Sequence, residues 1–490
     1  MATTTAPRAT TAVPLRTALL LTVTLFGTAC FRPRAVDCVL TCGDQNDCPN
    51  SMTCSAGLCT SHAACVTTVA AGETHTCATF AGALKCWGRN AAGQLGVGDR
   101  ADRGDGLSEM GKNLPQVILG QDRVVKASLF AYGKSAIALG SVHTCAVLDR
   151  GEVKCWGDNV GGQLGLGDLL PRTTPRDLGD NLPPLDLGTD LTARSLAAGV
   201  YHTCANLDSG AVKCWGDNRF GQLGIGAPGN RGGEAGQMGD NLPSVDLGLA
   251  IRAKAVAAGA YHTCALLADS GEVKCWGWND HGQLGLGDIR SRGLGPMDMG
   301  AGLPSVDLGE GRHAIQIAAG AFHTCALLAE SGEVKCWGLN GAGQLGQGDK
   351  DGRGASVATL GDRLPPIDLG AGRFARAITA GATHTCALLD DFSVRCWGLN
   401  ADGHLGIGST DNRGDEPAEM GQHLPAARLG APGVGVSSIS AGANHTCAVQ
   451  GASVKCWGLN LHGRLGVGDR NPRGDGRLEI TAVDLFGPGG

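Results

Sequence analysis

The chain is 490 residues long, with 80 glycines, 20 prolines, 21 cysteines and a formal net charge of −6. Glycine without a three-residue period excludes collagen, and an apolar share of 42% excludes low-complexity disorder. With 40 basic residues against 46 acidic ones and no long basic run, the electrostatic footprint of a nucleic-acid binder is missing.

Residues 1–16 carry Arg8 and Arg16 and no acid, and residues 17–29 form an apolar stretch of 13 residues that stops at Cys30. This predicts a signal peptide over 1–29, too short to remain as a membrane span. The segment resembles a bacterial lipoprotein signal, which implies that Cys30 becomes the lipidated first residue. Gly27 departs from that pattern, which usually has Leu there; plain cleavage after Ala29 is the alternative. Phe31, in place of an Asp after the lipidated cysteine, favours the outer membrane or cell surface over the inner membrane. Without the acyl chains the destination becomes secreted or periplasmic. No other segment is apolar for 18 residues.

Next come six cysteines within 28 residues: Cys38, Cys42, Cys48, Cys54, Cys59 and Cys65. A segment this small (30–66) has no room for an apolar core, so a knot of three disulfides is expected, in any of 15 pairings. Zinc is disfavoured because no C-x2-C spacing occurs.

The rest of the chain repeats. HTCA occurs seven times, starting at residues 75, 143, 202, 262, 323, 384 and 445, and each copy is followed by KCWG or RCWG and then by GQLG or a near variant. One unit reads as four short strands: VDL (245–247), AKAVAA (253–258), HTCALL (262–267) and EVKCWG (272–277). Four antiparallel strands repeated seven times predict an all-β fold, a seven-bladed β-propeller over residues 67–487. The orphan segment Val483–Phe486 is expected to join the first blade and close the ring, leaving no free edge. The pattern HTxAL, GxVxxWGxN, GQLGxG closely resembles the regulator of chromosome condensation repeat family. That likeness covers roughly residues 67–486 and implies the same seven-bladed propeller. The cysteine pair in each unit departs from the eukaryotic members.

Between the two cysteines of each unit lie two equal three-residue arms and a loop of varying length. Equal arms set the cysteines opposite one another across a hairpin. The expected disulfides are Cys77–Cys86, Cys145–Cys155, Cys204–Cys214, Cys264–Cys275, Cys325–Cys336, Cys386–Cys396 and Cys447–Cys456. Buried thiol pairs are one alternative; zinc held by sets such as His262, Cys264 and Cys275 is another, without a regular fourth ligand. The resemblance implies instead that this histidine hydrogen-bonds a neighbouring turn. Fourteen blade cysteines and six in the knot leave one, Cys30.

Residues that recur in every unit build the blade, so recognition is expected where units diverge. The connections 99–116, 227–243 and 409–425 are long rim loops, and the insertion 119–136 adds Phe130 and Tyr132 as candidate binding residues. Asp–Arg pairs four apart, such as Asp288/Arg292, read as loop braces, and the three Arg-Gly-Asp tripeptides at 103–105, 413–415 and 473–475 as loop chemistry. No catalytic, cofactor or metal motif is present. The expectation is a monomeric, non-enzymatic, lipid-anchored envelope propeller that binds an unidentified protein partner through its variable rim loops. Two alternatives stand beside it: inhibition of an extracellular enzyme, and guanine-nucleotide exchange, the activity of the family's eukaryotic namesake.

Overall fold

The computed structural model describes residues 53–55, 58–60, 66–80, 82–126, 135–430 and 433–487. Cys30, Cys38, Cys42, Cys48 and Cys65 lie outside these, as do the side chains of Cys54 and Cys59. The backbone around the last two forms a small hairpin, Thr53–Ser55 against Leu58–Thr60, with Cys54 opposite Cys59.

Seven antiparallel sheets of three strands follow, at 66–88, 137–157, 193–216, 253–277, 314–338, 375–398 and 436–458. These are blades 1 to 7. In blade 4 the inner strand is Ala253–Ala258, the middle strand His262–Leu267 and the outer strand Val273–Gly277. Small residues suit the inner strand, which faces the narrow central channel. The middle strand is buried along its whole length, because neighbouring blades cover both of its faces. The turns from inner to middle strand mark the upper face of the disc, and the middle-to-outer hairpin tips mark the lower face.

The fourth strand differs from the sequence expectation in extent and in ownership. VDL makes one ladder bond, Val245 N–H to the Val212 carbonyl at 2.8 Å, and so belongs to the preceding blade. Its other polar groups are diverted. The Asp246 carboxylate accepts the Gly248 N–H at 2.9 Å, a local turn that competes with pairing, and Lys274 Nζ of the next blade donates to the Leu247 carbonyl. Ring closure follows the same pattern. Val483 N–H bonds Val454 of blade 7, while the Asp484 and Leu485 carbonyls accept from Gly111 N–H and Lys85 Nζ of blade 1. Val483–Leu485 is therefore the fourth strand of blade 7, clasped by blade 1.

The recurring lysine of KCWG thus has a role invisible in the sequence. Lys335 Nζ donates to the Leu308 carbonyl at 2.8 Å and the Gly361 carbonyl at 2.9 Å, joining blade 5 to the strand supplied by blade 4. Burial, helped by nearby Arg312, lowers its pKa, and the carboxylates of Asp362, Glu333 and Asp307 offset part of this.

A second ring of bonds runs round the channel on the upper face. Each turn donates to the next: Val200 N–H to Ala260 O, Ala260 to Ala321, Ala321 to Ala382, Ala382 to Ala443, and Ala443 to Gly72 across the closing joint. Ser141 N–H to Val200 O and Thr74 Oγ1 to Ser141 O complete the circle. The close approach requires glycine at each turn. A Cβ on Gly259 would lie 2.1 Å from His262 Cε1 and 2.5 Å from the Gly320 carbonyl. Gly259→Ala is expected to cost about 2–4 kcal/mol through overpacking, read as a lowered urea midpoint.

All seven hairpins place their cysteines in register, and the structure joins them, with S–S distances of 2.00–2.10 Å. Each cystine is fully buried between blades; Cys264 and Cys275 pack with Ala326 and Trp337 of blade 5.

A candidate recognition site on the upper face

The recurring side chains are consumed by the scaffold. His202 Nε2 meets Thr263 Oγ1 of the next blade at 3.0 Å, and Thr263 Oγ1 donates onward to the Gln222 carbonyl at 2.9 Å. A hydroxyl has a single proton, so the imidazole must donate through Nε2 and is the neutral tautomer with Nδ1 bare. Trp276 Nε1 donates to the other lone pair of the same carbonyl at 3.0 Å. The His–Thr contact recurs at every joint, from His75 with Thr144 to His445 with Thr76. The histidine partner is thus a threonine of the adjacent blade rather than a turn. His262, Cys264 and Cys275 are taken up by Thr324 and by the disulfide, so they do not converge on an ion.

The rim loops are likewise satisfied internally. All five Asp–Arg pairs form at 2.6–2.7 Å. Within the Arg-Gly-Asp tripeptides, Asp105 pairs with Arg470 at 2.6 Å and Asp415 with Lys350 at 3.3 Å, and their carboxylates are 8% and 9% exposed. The tripeptides are not presented to a partner. Phe130 and Tyr132 lie outside the described residues.

What stands out is a set of aromatics at positions where the units disagree. The residue before HTCA is Tyr201, Tyr261 and Phe322 in blades 3 to 5, but Thr74, Val142, Thr383 and Asn444 in the others. Trp278 is the one tryptophan of eight outside the KCWG and RCWG strings. Trp278 stacks on Phe220 at 5.4 Å and meets Phe322 edge-on at 5.0 Å, while Tyr261 touches Phe220 at 5.4 Å. His281 closes the group at 5.6 Å from Trp278. These rings are half-buried, and such offset and T-shaped contacts hold them as a rigid ledge. Burial pushes the Tyr261 phenol above its ordinary pKa. Arg219, ion-paired to Asp217 at 2.9 Å, and exposed Asp280 form a polar border.

The ledge runs into the mouth of the central channel, a cavity of about 520 Å³. Its walls are alanine and glycine of the inner strands. At the rim of the mouth, Tyr201, Tyr261 and Phe322 come from blades 3 to 5, and Asn444, Glu73 and Ser141 from blades 7, 1 and 2. The sequence carried a signal for this site that went unread: the eighth tryptophan, and two of the three tyrosines at one repeat position in adjacent units.

A family profile described as RCC1-like domain matches residues 40–362, and profiles for the regulator of chromosome condensation (RCC1) repeat match 393–449 and 375–403. The ultraviolet-B receptor UVR8 of Arabidopsis thaliana is 30% identical over 427 residues, covering 86% of this chain and 83% of the receptor. The secretion-regulating guanine nucleotide exchange factor of Bos taurus is 30% identical over 404 residues, 79% of this chain and 76% of that protein. Among solved structures, human WBSCR16 superposes with a TM-score of 0.59 at 21% identity, over 81% of this chain and 92% of that one. Yeast RCC1 (Prp20), solved bound to Kap60, gives 0.57 at 21% identity, over 77% and 78%. Seven blades, the repeat strings and these matches together place the chain in the regulator of chromosome condensation repeat family.

Proposed function

We propose that this propeller is exported, held at the cell envelope by acyl groups on Cys30, and binds a protein partner as a monomer through the aromatic ledge of its upper face. The observation that carries the reading is the ledge itself. Four large rings and an imidazole stand half-exposed on non-repeating positions, bordered by charge, as the hot-spot centre of a protein interface does. This places the binding surface inward from the rim loops, whose recurring Asp–Arg pairs are already closed. Export is supported by seven buried cystines, which need an oxidising compartment to form. No catalysis and no nucleic-acid binding belong to this reading.

The test places a photo-crosslinking amino acid at 278 in the native host, with position 459, the matching site in blade 7, as the comparison. A discrete adduct is expected at 278 and not at 459, and Trp278→Ala should weaken partner binding about tenfold or more. Adducts only from rim position 170 would sink the ledge. Intact mass reports export: a mature chain beginning at acylated Cys30 with its other cysteines oxidised is expected. A full-length chain with free thiols would overturn it.

Guanine-nucleotide exchange is the second reading, favoured by the identity to the exchange factor of Bos taurus. It requires accelerated release of labelled nucleotide from a small GTPase, which the partner-binding reading does not expect.

A further inference from the structure

We infer that the mouth of the central channel is a binding site for a cationic amine carrying an apolar body. This rests on the reading of the upper face as the binding face and adds the chemistry it recognises. Three observations meet here. The mouth leads into a cavity of about 520 Å³, within the range of small-ligand sites. Blades 3 to 5 offer the aromatic side chains of Tyr201, Tyr261 and Phe322, and blades 7, 1 and 2 offer Asn444, Glu73 and Ser141. Finally, the polar ends that converge on this opening make no hydrogen bond or ion pair with the described residues. That holds for the Glu73 carboxylate, the Ser141 hydroxyl, the Asn444 amide and both tyrosine hydroxyls, whereas a single layer below each histidine Nε2 is bonded to a threonine hydroxyl of the next blade.

The one charged side chain of the mouth favours a cation. Glu73 is the carboxylate in its wall. The cation bonded to this turn, Arg464, is buried and donates to the Glu73 backbone carbonyl at 3.0 Å and to the Leu461 carbonyl at 3.1 Å, and its charge is coupled to that of Glu73 beyond ion-pair distance. Neither Arg464 nor Arg89 forms an ion pair with the Glu73 carboxylate. A carboxylate without an ion pair, lining the same mouth as aromatic rings, suits an ammonium group: it is attracted by the charge and by the electron-rich rings, while its apolar body covers them. Ser141 and Asn444 supply acceptors for the remaining N–H bonds. The same chemistry is offered by a free amine and by a lysine side chain of a protein partner.

The test titrates the full mature protein in detergent with four probes: 2-phenylethylamine, its neutral counterpart 2-phenylethanol, the peptide acetyl-Phe-Lys-amide, and the same peptide acetylated on the lysine. Calorimetry or ligand-observed NMR reads the affinities. At least one charged probe is expected to bind about tenfold or more tightly than its neutral counterpart. Glu73→Gln should abolish that preference, Phe322→Ala should weaken the charged probe, and Glu330→Gln, at an exposed hairpin tip of the lower face, should change neither. Binding of 2-phenylethylamine identifies a free amine as the source; binding of the lysine peptide alone identifies a partner side chain. Equal affinity for charged and neutral probes, no binding of any probe, or a preference that survives Glu73→Gln overturns the inference. Melting temperatures of the variants report their folding. Glu73→Gln leaves the ledge intact, so crosslinking at 278 still tests the partner reading separately.

Discussion

Lowering the pH from 7 to 5 is expected to remove on the order of 10 kcal/mol of folding free energy and to unfold the propeller cooperatively. The cause is the ring of seven histidines. Burial, with a contribution from neighbouring imidazoles, pushes His75, His143 and His262 down to about 3 from the ordinary 6.5. Burial alone pushes His202 and His323 to about 4. His384 and His445 are lowered in the same direction. The physical reason is local: Nε2 already donates to threonine, and Nδ1 is buried with no acceptor for a second proton. Below pH 6.5 the unfolded chain therefore binds protons that the folded chain refuses. The stability is fully present above that pH and is lost as pH falls toward the folded values. At pH 5 the loss is about 2 kcal/mol per imidazole. Carboxylates held low by arginines, such as Asp168 and Asp469, add their own loss only at lower pH. Circular dichroism against pH, with potentiometric proton uptake near seven per molecule, checks the expectation. A melting temperature that stays flat between pH 7 and 5 would show that the imidazoles are not the neutral, buried donors described.

Reduction is the second large perturbation. In the chain-entropy picture a cross-link over about ten residues contributes about 2–3 kcal/mol, so seven amount to roughly 15–20 kcal/mol, more than a typical domain's net stability. Each bridge is also fully buried between blades. The folded protein is therefore expected to resist dithiothreitol at neutral pH and to become reducible only once urea opens it. Reduced chain should then fail to refold to the native circular dichroism spectrum. The double variant C264A/C275A isolates one bridge and should lose about 2–5 kcal/mol. Thiol labelling by mass spectrometry follows the first effect and urea titration the second. Ready reduction of the native protein would contradict the burial.

Much of this protein was legible in the chain because its code is local and repeated. Equal arms around each hairpin loop fix cysteine register whatever the loop length, since strand pairing counts residues outward from the turn; Cys264 opposite Cys275 and Cys77 opposite Cys86 follow alike. The number of blades followed from counting. Harder to read were groups whose partners lie a full unit away. His262 looked like a possible ligand until Thr324 appeared beside it, and nothing in the KCWG string says that two carbonyls from different loops close on the Lys335 ammonium. The aromatic ledge was hard to read for a related reason: its rings stand at single diverging positions within otherwise constant strings, and only the packing of three blades brings them together.

By itself, then, the sequence determined the fold class, the blade count and the pairing of the blade cysteines, because each is set by contacts within about a dozen residues. Only the tertiary structure decided which blade owns the VDL segment, how Val483–Leu485 shares the closing joint, and that Phe220, Tyr261, Trp278 and Phe322 meet. Those four residues come from three blades, and what brings their rings together is the curvature of the ring, which no single repeat contains.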